Sequence, residues 1–203
     1  MAPEKGNSGI KHFALASGIS STLLLILAGA TAVLAIRVPS LIFGFLLVPC
    51  FICLMVSIHF YSDKSTRLFS MLGIVFSSMY GILISFNYFL QLALMDKNIP
   101  GLDLFLMTNP DTIMWVIEVL GYFFMGLSTL AIMPVFKTSL LERLIKALLG
   151  LNGLFGIGGL IGYVLRWDMS ILYGGLMLWN IIMPVASALI VVFFRTNEPS
   201  NDL

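Results

Sequence analysis

Six apolar runs, at residues 12–36, 40–61, 68–95, 112–136, 140–165 and 171–194, constrain this chain more than any other feature. A segment needs about 20 apolar residues to cross a hydrocarbon core of about 30 Å, and every run meets that length. Together they occupy roughly three quarters of the chain, which leaves no room for a separate folded domain. Lipid offers no partner to a backbone amide, so each run is expected to be a helix that satisfies its own. The apolar residues are continuous rather than alternating, which argues against a membrane β-barrel. The expected architecture is therefore all-α: one polytopic transmembrane helical bundle of six spans over 12–195, with tails at 1–11 and 196–203 and the longest loop at 96–111.

Composition agrees. Of 203 residues, 59% are hydrophobic and 10% charged, whereas a soluble domain carries about 25% charged residues to cover its surface. A net charge of +1 argues against a nucleic-acid platform. Two cysteines do not make a disulfide scaffold.

The breaks between runs have local causes. Arg37, Pro39 and Ser40 mark a tight turn, and Ser62-Asp63-Lys64-Ser65 separates the second and third spans. In the long loop, Asn109-Pro110-Asp111 is a turn and helix-start signal, with Asp111 the expected N-cap of span four. The apolar stretch 102–107 inside that loop is expected at the membrane interface. Lys5, Lys11, Lys64, Arg67, Lys137, Arg143, Lys146 and Arg195 fall on one side, while Arg37, Lys97 and Arg166 fall on the other. The positive-inside rule then places both termini in the cytoplasm of a cell-membrane protein, and it puts Trp115, Trp167, Tyr163 and Tyr173 in an aromatic belt near the outer boundary. A competing reading takes Ala28-Gly29-Ala30 or Ala30-Thr31-Ala32 as a signal-peptidase site, leaving five spans. The apolar run continues to Ile36, longer than a signal core requires.

Polar groups inside spans are costly and invite functional readings. Glu118 is the one acid well inside a run, ~9 Å from the outer end of span four at 1.5 Å per residue. With Gly121, Tyr122, Met125 and Thr129 it forms a stripe at helical spacing. A charge facing lipid is unfavourable by about 2.5–3.5 kcal/mol or more, so Glu118 is expected to face the bundle interior, protonated, paired or wet. It suits a proton carrier, a cation ligand or an anchor for a cationic substrate; a structural hydrogen bond between helices is the plainer alternative. Asn87 and Gln91, four apart on span three, approach the same half of the membrane. Asn152 shares a face with Gly156, Gly159 and Tyr163, and Asn180 with Tyr173, Met177, Pro184 and Ser187. If spans three to six pack together, these amides and Tyr122 would surround an outward-facing cavity. Taken singly, each amide is ordinary interhelical glue worth about 0.6 kcal/mol.

Span five carries Gly150, Gly153, Gly156, Gly158, Gly159 and Gly162. They read as close-packing positions, with Gly158 and Gly162 a GxxxG pair that also offers a homo-oligomer face. The alternative is a flexible segment beside a substrate. Pro49, Pro134 and Pro184 fall in the inward-running spans, where each removes a backbone bond and permits a kink. Cys50 and Cys53 form a CxxC near mid-bilayer, read as two small buried residues rather than a redox pair. His12 and His59 lack the neighbours of a metal site. No phosphate-binding loop, zinc-protease motif or nucleophile elbow is found, so no cofactor, metal or catalytic residue is expected.

Several stretches resemble a broad group of six-span prokaryotic membrane proteins: Ser85-Phe86-Asn87-Tyr88-Phe89-Leu90-Gln91, Asn109-Pro110, residues 118–127, Asn152-Gly153-Leu154 and Gly158-Gly159. The resemblance implies a hydropathy profile and brings no activity with it. The leading expectation is binding or translocation of a small lipophilic or cationic solute through spans three to five, with membrane lipids as surroundings. A structural or accessory membrane protein is the second reading, and a membrane-embedded enzyme on lipid-like substrates the third.

Overall fold

The structure, a computed structural model, describes residues 5–95, 97, 100–107 and 110–200, with side chains from Ser8 onward. Residues 1–4 of the expected N-terminal tail, Asp96, Asn109 and the last three residues lie outside the described residues. Six long helices follow one another: α1 (Lys5–Val33), α2 (Arg37–His59), α3 (Arg67–Leu94), α4 (Ile113–Ile132), α5 (Leu140–Val164) and α6 (Met169–Thr196). All six are long and apolar enough to cross a membrane.

Local chemistry sets the boundaries. Residues 34–36 join α1 to α2, with Ala35 in the left-handed region at φ 56°. The Ile36 N–H reaches the Thr31 carbonyl (2.8 Å) and the Ala35 N–H the Ala32 carbonyl (3.0 Å). This is a Schellman closure in which Ala stands where Gly is usual. The α5–α6 turn repeats it: Arg166 has φ 55°, and Trp167 and Arg166 donate to Gly162 and Tyr163. Ser139 and Glu142 form a reciprocal capping box at the start of α5. The Asp168 carboxylate accepts the Ser170 N–H at 2.8 Å and caps α6.

Some expectations shift. Arg37 opens α2 rather than sitting in the turn. Thr112, not Asp111, is the N-cap residue of α4, and its side chain makes no capping bond. Pro134 ends α4 early: its ring cannot continue the ladder, and Met133–Val135 tightens into a 3₁₀ turn. Pro49 and Pro184 stay inside their helices. The apolar loop stretch folds as a 3₁₀ turn, Leu102–Phe105, that turns Leu102 and Leu106 inward and leaves Leu104 and Phe105 exposed.

Each helix packs on its neighbours in sequence, and α6 closes back on α1, so the bundle is a ring in chain order. Both chain ends and the α2–α3 and α4–α5 connections share one end, called terminal here. The other three connections form the distal end. Small residues and hydroxyls build the seams. Ser17 and Ser57 join α1 to α2 (2.9 Å), and Thr22 donates to Ser187 across α1–α6 (2.9 Å). Ser128 donates to the Gly73 carbonyl across α3–α4 (2.8 Å).

The α4–α5 seam corrects the expected GxxxG pair. A Cβ on Gly156 would lie 2.8 Å from the Tyr122 carbonyl oxygen, and one on Gly126 3.2 Å from the Gly153 carbonyl. Gly153 and Gly156 therefore do the packing. Gly158 has open space around it, and Gly162 makes room for Trp167 and Leu172.

The interior is uneven along its length. Toward the terminal end it is filled by large side chains such as Phe51, Leu54, Ile58, Met183, Phe136 and Phe194, all buried. Toward the distal end the ring encloses a cavity of about 900 Å³. Exposed apolar side chains including Leu23, Ile82, Phe89, Val116, Leu154 and Ile181 cover the outside of the ring. Water penalises such a surface and hydrocarbon does not.

Candidate functional site

The distal cavity is walled by α1 and α2 near their shared turn, by Tyr80, Tyr88 and Gln91 of α3, and by Trp115, Glu118 and Tyr122 of α4. Asn152 to Tyr163 of α5 and the distal half of α6 complete it. At about 900 Å³ it matches a drug-sized ligand pocket, and its lining is mostly apolar with a few polar groups.

Glu118 is the acid of this wall and is only 6% exposed. Its two oxygens are held from one helix. Asn87 Nδ2 donates to Oε2 at 2.7 Å, and the Tyr88 hydroxyl donates to Oε1 at 2.8 Å. Consecutive residues of α3 thus grip both sides of the carboxylate. Tyr122, one turn along α4, joins the same group of polar side chains. Gly44 of α2 makes the grip possible, since a Cβ there would come 2.2 Å from the Tyr88 ring.

A second tier lies distal to the first. Gln91, four residues beyond Asn87, donates to the Asn87 Oδ1 (3.4 Å) and to the Phe105 carbonyl (3.1 Å). Its oxygen accepts from the Met107 N–H and from Arg37 Nη2, each at 3.1 Å. A continuous polar path therefore runs from exposed Arg37 through Gln91 and Asn87 to Glu118. Gln91 also fastens the 102–107 segment over the distal end of α3. Tyr163 ties α5 to the same region through the Pro110 carbonyl, 2.6 Å away.

The structure thus brings together Asn87, Gln91, Glu118 and Tyr122. Asn152 and Asn180 border the same cavity, but their amides are engaged elsewhere. Asn152 donates to the Thr129 hydroxyl (2.9 Å), about 16 Å along α4 from Glu118. Asn180 donates to its own helix at Leu176 (3.0 Å) and rests on Gly29 of α1. Tyr88 and Arg37 were missed from sequence. Tyr88 carried a signal in its adjacency to Asn87, whereas Arg37 looked like a turn residue. Cys50 and Cys53 are both free thiols on α2. His59 bonds Ser70 through Nδ1 at 2.8 Å at the terminal end.

Electrostatically, both Glu118 donors are neutral. The ion pairs Lys11–Glu198 and Lys137–Asp63 lie at the terminal end, away from Glu118. A carboxylate so enclosed attracts a cation or a proton, because neutral hydrogen bonds compensate only part of its lost hydration. Aromatic rings surround the approach. Tyr122 and Trp179 meet edge to face at 5.0 Å, and Trp115 and Tyr173 at 5.8 Å.

The fold and the cavity together define a class: a six-helix ring able to span a membrane, solid at one end and hollow at the other. Comparison with family models, with curated proteins and with solved structures finds no match for this chain.

Proposed function

We propose that the chain crosses a cell membrane six times, with both termini in the cytoplasm, and binds a small lipophilic or cationic solute in the distal cavity. Glu118 is the charge-bearing group of the site, with Asn87, Tyr88 and Gln91 positioning it. The supporting observation is the enclosed Glu118 carboxylate, held by neutral donors alone at the wall of a ligand-sized cavity. The cavity lies in the distal half while the terminal half is filled, which suits a site loaded from the non-cytoplasmic half of the membrane. Translocation follows if the terminal half opens in a second state, and protonation of Glu118 would then be the natural means of releasing a cation.

The test uses purified protein screened by thermal unfolding against cations and small metabolites, followed by flux assays in liposomes. A ligand at 100 times its Kd raises stability by about 2.7 kcal/mol. That shift is expected for wild type and expected to vanish in Glu118→Gln. A shift that survives the substitution removes Glu118 from the site.

A structural reading has its own support, since both oxygens of Glu118 are already hydrogen-bonded within the chain. On that reading Glu118→Gln lowers the unfolding midpoint, and no compound in the screen changes it in either protein.

A further inference from the structure

The cavity does not stop at the inner wall of the ring. Every residue from 171 to 180, ten in succession on α6, lines it. A helix turns once in 3.6 residues, so unbroken lining means that space reaches round more than one face of the distal half of α6. The same half is exposed at Ile171, Tyr173, Met177 and Leu178.

Packing changes character along this helix. From Val191 to Asn180, α6 is pressed on α1: Gly18 abuts Val191, Thr22 bonds Ser187, and Gly29 lies beneath Asn180. Distal to Asn180 the small residues face space. A Cβ on Gly158 or Gly159 of α5, or on Gly174 or Gly175 of α6, would meet no atom within 4 Å. These four glycines line the same cavity as Glu118, and Gly174 is exposed, so the cavity continues as a glycine-edged cleft beside α6 toward the outside of the ring.

Resting on the binding function proposed above, we infer that the occupant is a lipophilic ammonium. Its cationic head meets Glu118 among Tyr122 and Trp179, and its alkyl chain leaves through the glycine cleft beside α6. Each half of the molecule answers a separate feature. An acid with neutral donors alone takes a cation, and aromatic faces within about 6 Å of a cation add attraction. The cleft, lined by glycines and mostly apolar residues, suits a hydrocarbon chain. Entry is sideways from the lipid, so the head need not cross the distal loops.

The experiment uses the full chain in lipid nanodiscs, with binding read by calorimetry against empty nanodiscs. Three probes separate the parts: dodecyltrimethylammonium, tetramethylammonium and dodecanoate. Dodecyltrimethylammonium is expected to bind saturably, and dodecanoate, with a similar chain and the opposite charge, is not. Glu118→Gln is expected to weaken both ammonium probes at least tenfold. Gly159→Leu, which places a side chain where the structure has room, is expected to weaken the dodecyl probe at least tenfold and leave tetramethylammonium unchanged. If Gly159→Leu leaves the dodecyl probe untouched while Glu118→Gln still removes both, the cleft is wrong and the Glu118 site stands. Dodecanoate bound as tightly as the ammonium overturns the cationic head. If both ammonium probes bind Glu118→Gln as tightly as wild type, the inference and the function beneath it are both overturned. Should Glu118→Gln fail to fold, the Gly159→Leu contrast and the dodecanoate comparison still decide.

Discussion

At the scale of single residues, the grip on Glu118 depends on a side chain that is absent. Gly44 leaves the space into which the Tyr88 ring fits, and only then does the Tyr88 hydroxyl reach Oε1. Tyr88→Phe keeps the ring and deletes that bond. A hydrogen bond to a charged group contributes about 1.5–3 kcal/mol, so the unfolding free energy in a denaturant titration should fall by that amount if Glu118 is ionised. A loss near 0.5 kcal/mol would mean that the bond is made to a neutral acid. The stripe of Glu118, Gly121, Tyr122, Met125 and Thr129 was legible because helical periodicity and the penalty on charge in lipid point the same way; Tyr122 is half-buried and the other four are buried. The separate fates of Asn152 and Asn180 were not legible. A shared half of the membrane says nothing about which neighbour an amide meets first, and Thr129 and Leu176 were closer.

Outside the spans, Asp63 supplies a pH-dependent contact. The Ser65 hydroxyl, the Thr66 hydroxyl and Lys137 hold its carboxyl well below the ordinary value of 3.8, the Ser65 bond contributing most. A carboxyl lowered in the folded state binds its proton later than in the unfolded chain. Its contribution is therefore complete above 3.8 and is lost progressively as pH falls from there toward the much lower folded-state value. The midpoint of thermal unfolding should drop on acidification below pH 4 in wild type and drop less steeply in Asp63→Asn. Equal slopes would show that the α2–α3 connection is already open in the folded state.

At the scale of elements, glycines on one helix serve opposite purposes, and a single substitution distinguishes them. Gly156→Ala places a methyl 2.8 Å from the backbone oxygen of Tyr122 and 3.1 Å from Gly126 Cα, so the α4–α5 seam has to widen. Overpacking of this kind costs about 1–3 kcal/mol. Gly158→Ala meets nothing within 4 Å and restores helix propensity, so it should be neutral or stabilising by up to about 1 kcal/mol. Denaturation of the two variants side by side checks the assignment, and the reverse order would mean that α5 is rotated about its axis. The glycine run itself was visible in the sequence. Which glycine faced a partner was not, because that depends on the rotation of α5 against α4, a tertiary quantity. Helix ends behaved similarly. Apolar runs located all six helices, yet Arg37 is the first residue of α2 because Ala35 turns the chain sooner than Pro39 suggested.

For the whole molecule, the contrast between a filled and a hollow half predicts accessibility. In a background lacking Cys50 and Cys53, a cysteine at Ser40 should react with a membrane-impermeant thiol reagent from the distal side, since Ser40 lines the cavity. One at Ser57, fully buried between α1 and α2, should stay unreactive until the protein is denatured. Labelling of Ser40→Cys in intact cells would also place the distal end outside, as the distribution of Lys and Arg leads one to expect. Neither the ring nor its cavity could be read from hydropathy. Closure depends on α1 meeting α6, the most widely separated pair of spans in the chain.

That closure also dictates an order of assembly. While the ribosome is still working, α1 and α2 have each other, but the face of α1 that holds Gly18, Thr22 and Gly29 must wait for the final span. Until then Thr22 can satisfy its hydroxyl only on its own helix, at the Gly18 carbonyl 2.8 Å away. A nascent chain halted after α5 would be an open horseshoe with its acidic chamber bared along one flank, the form that quality-control proteases are best placed to remove.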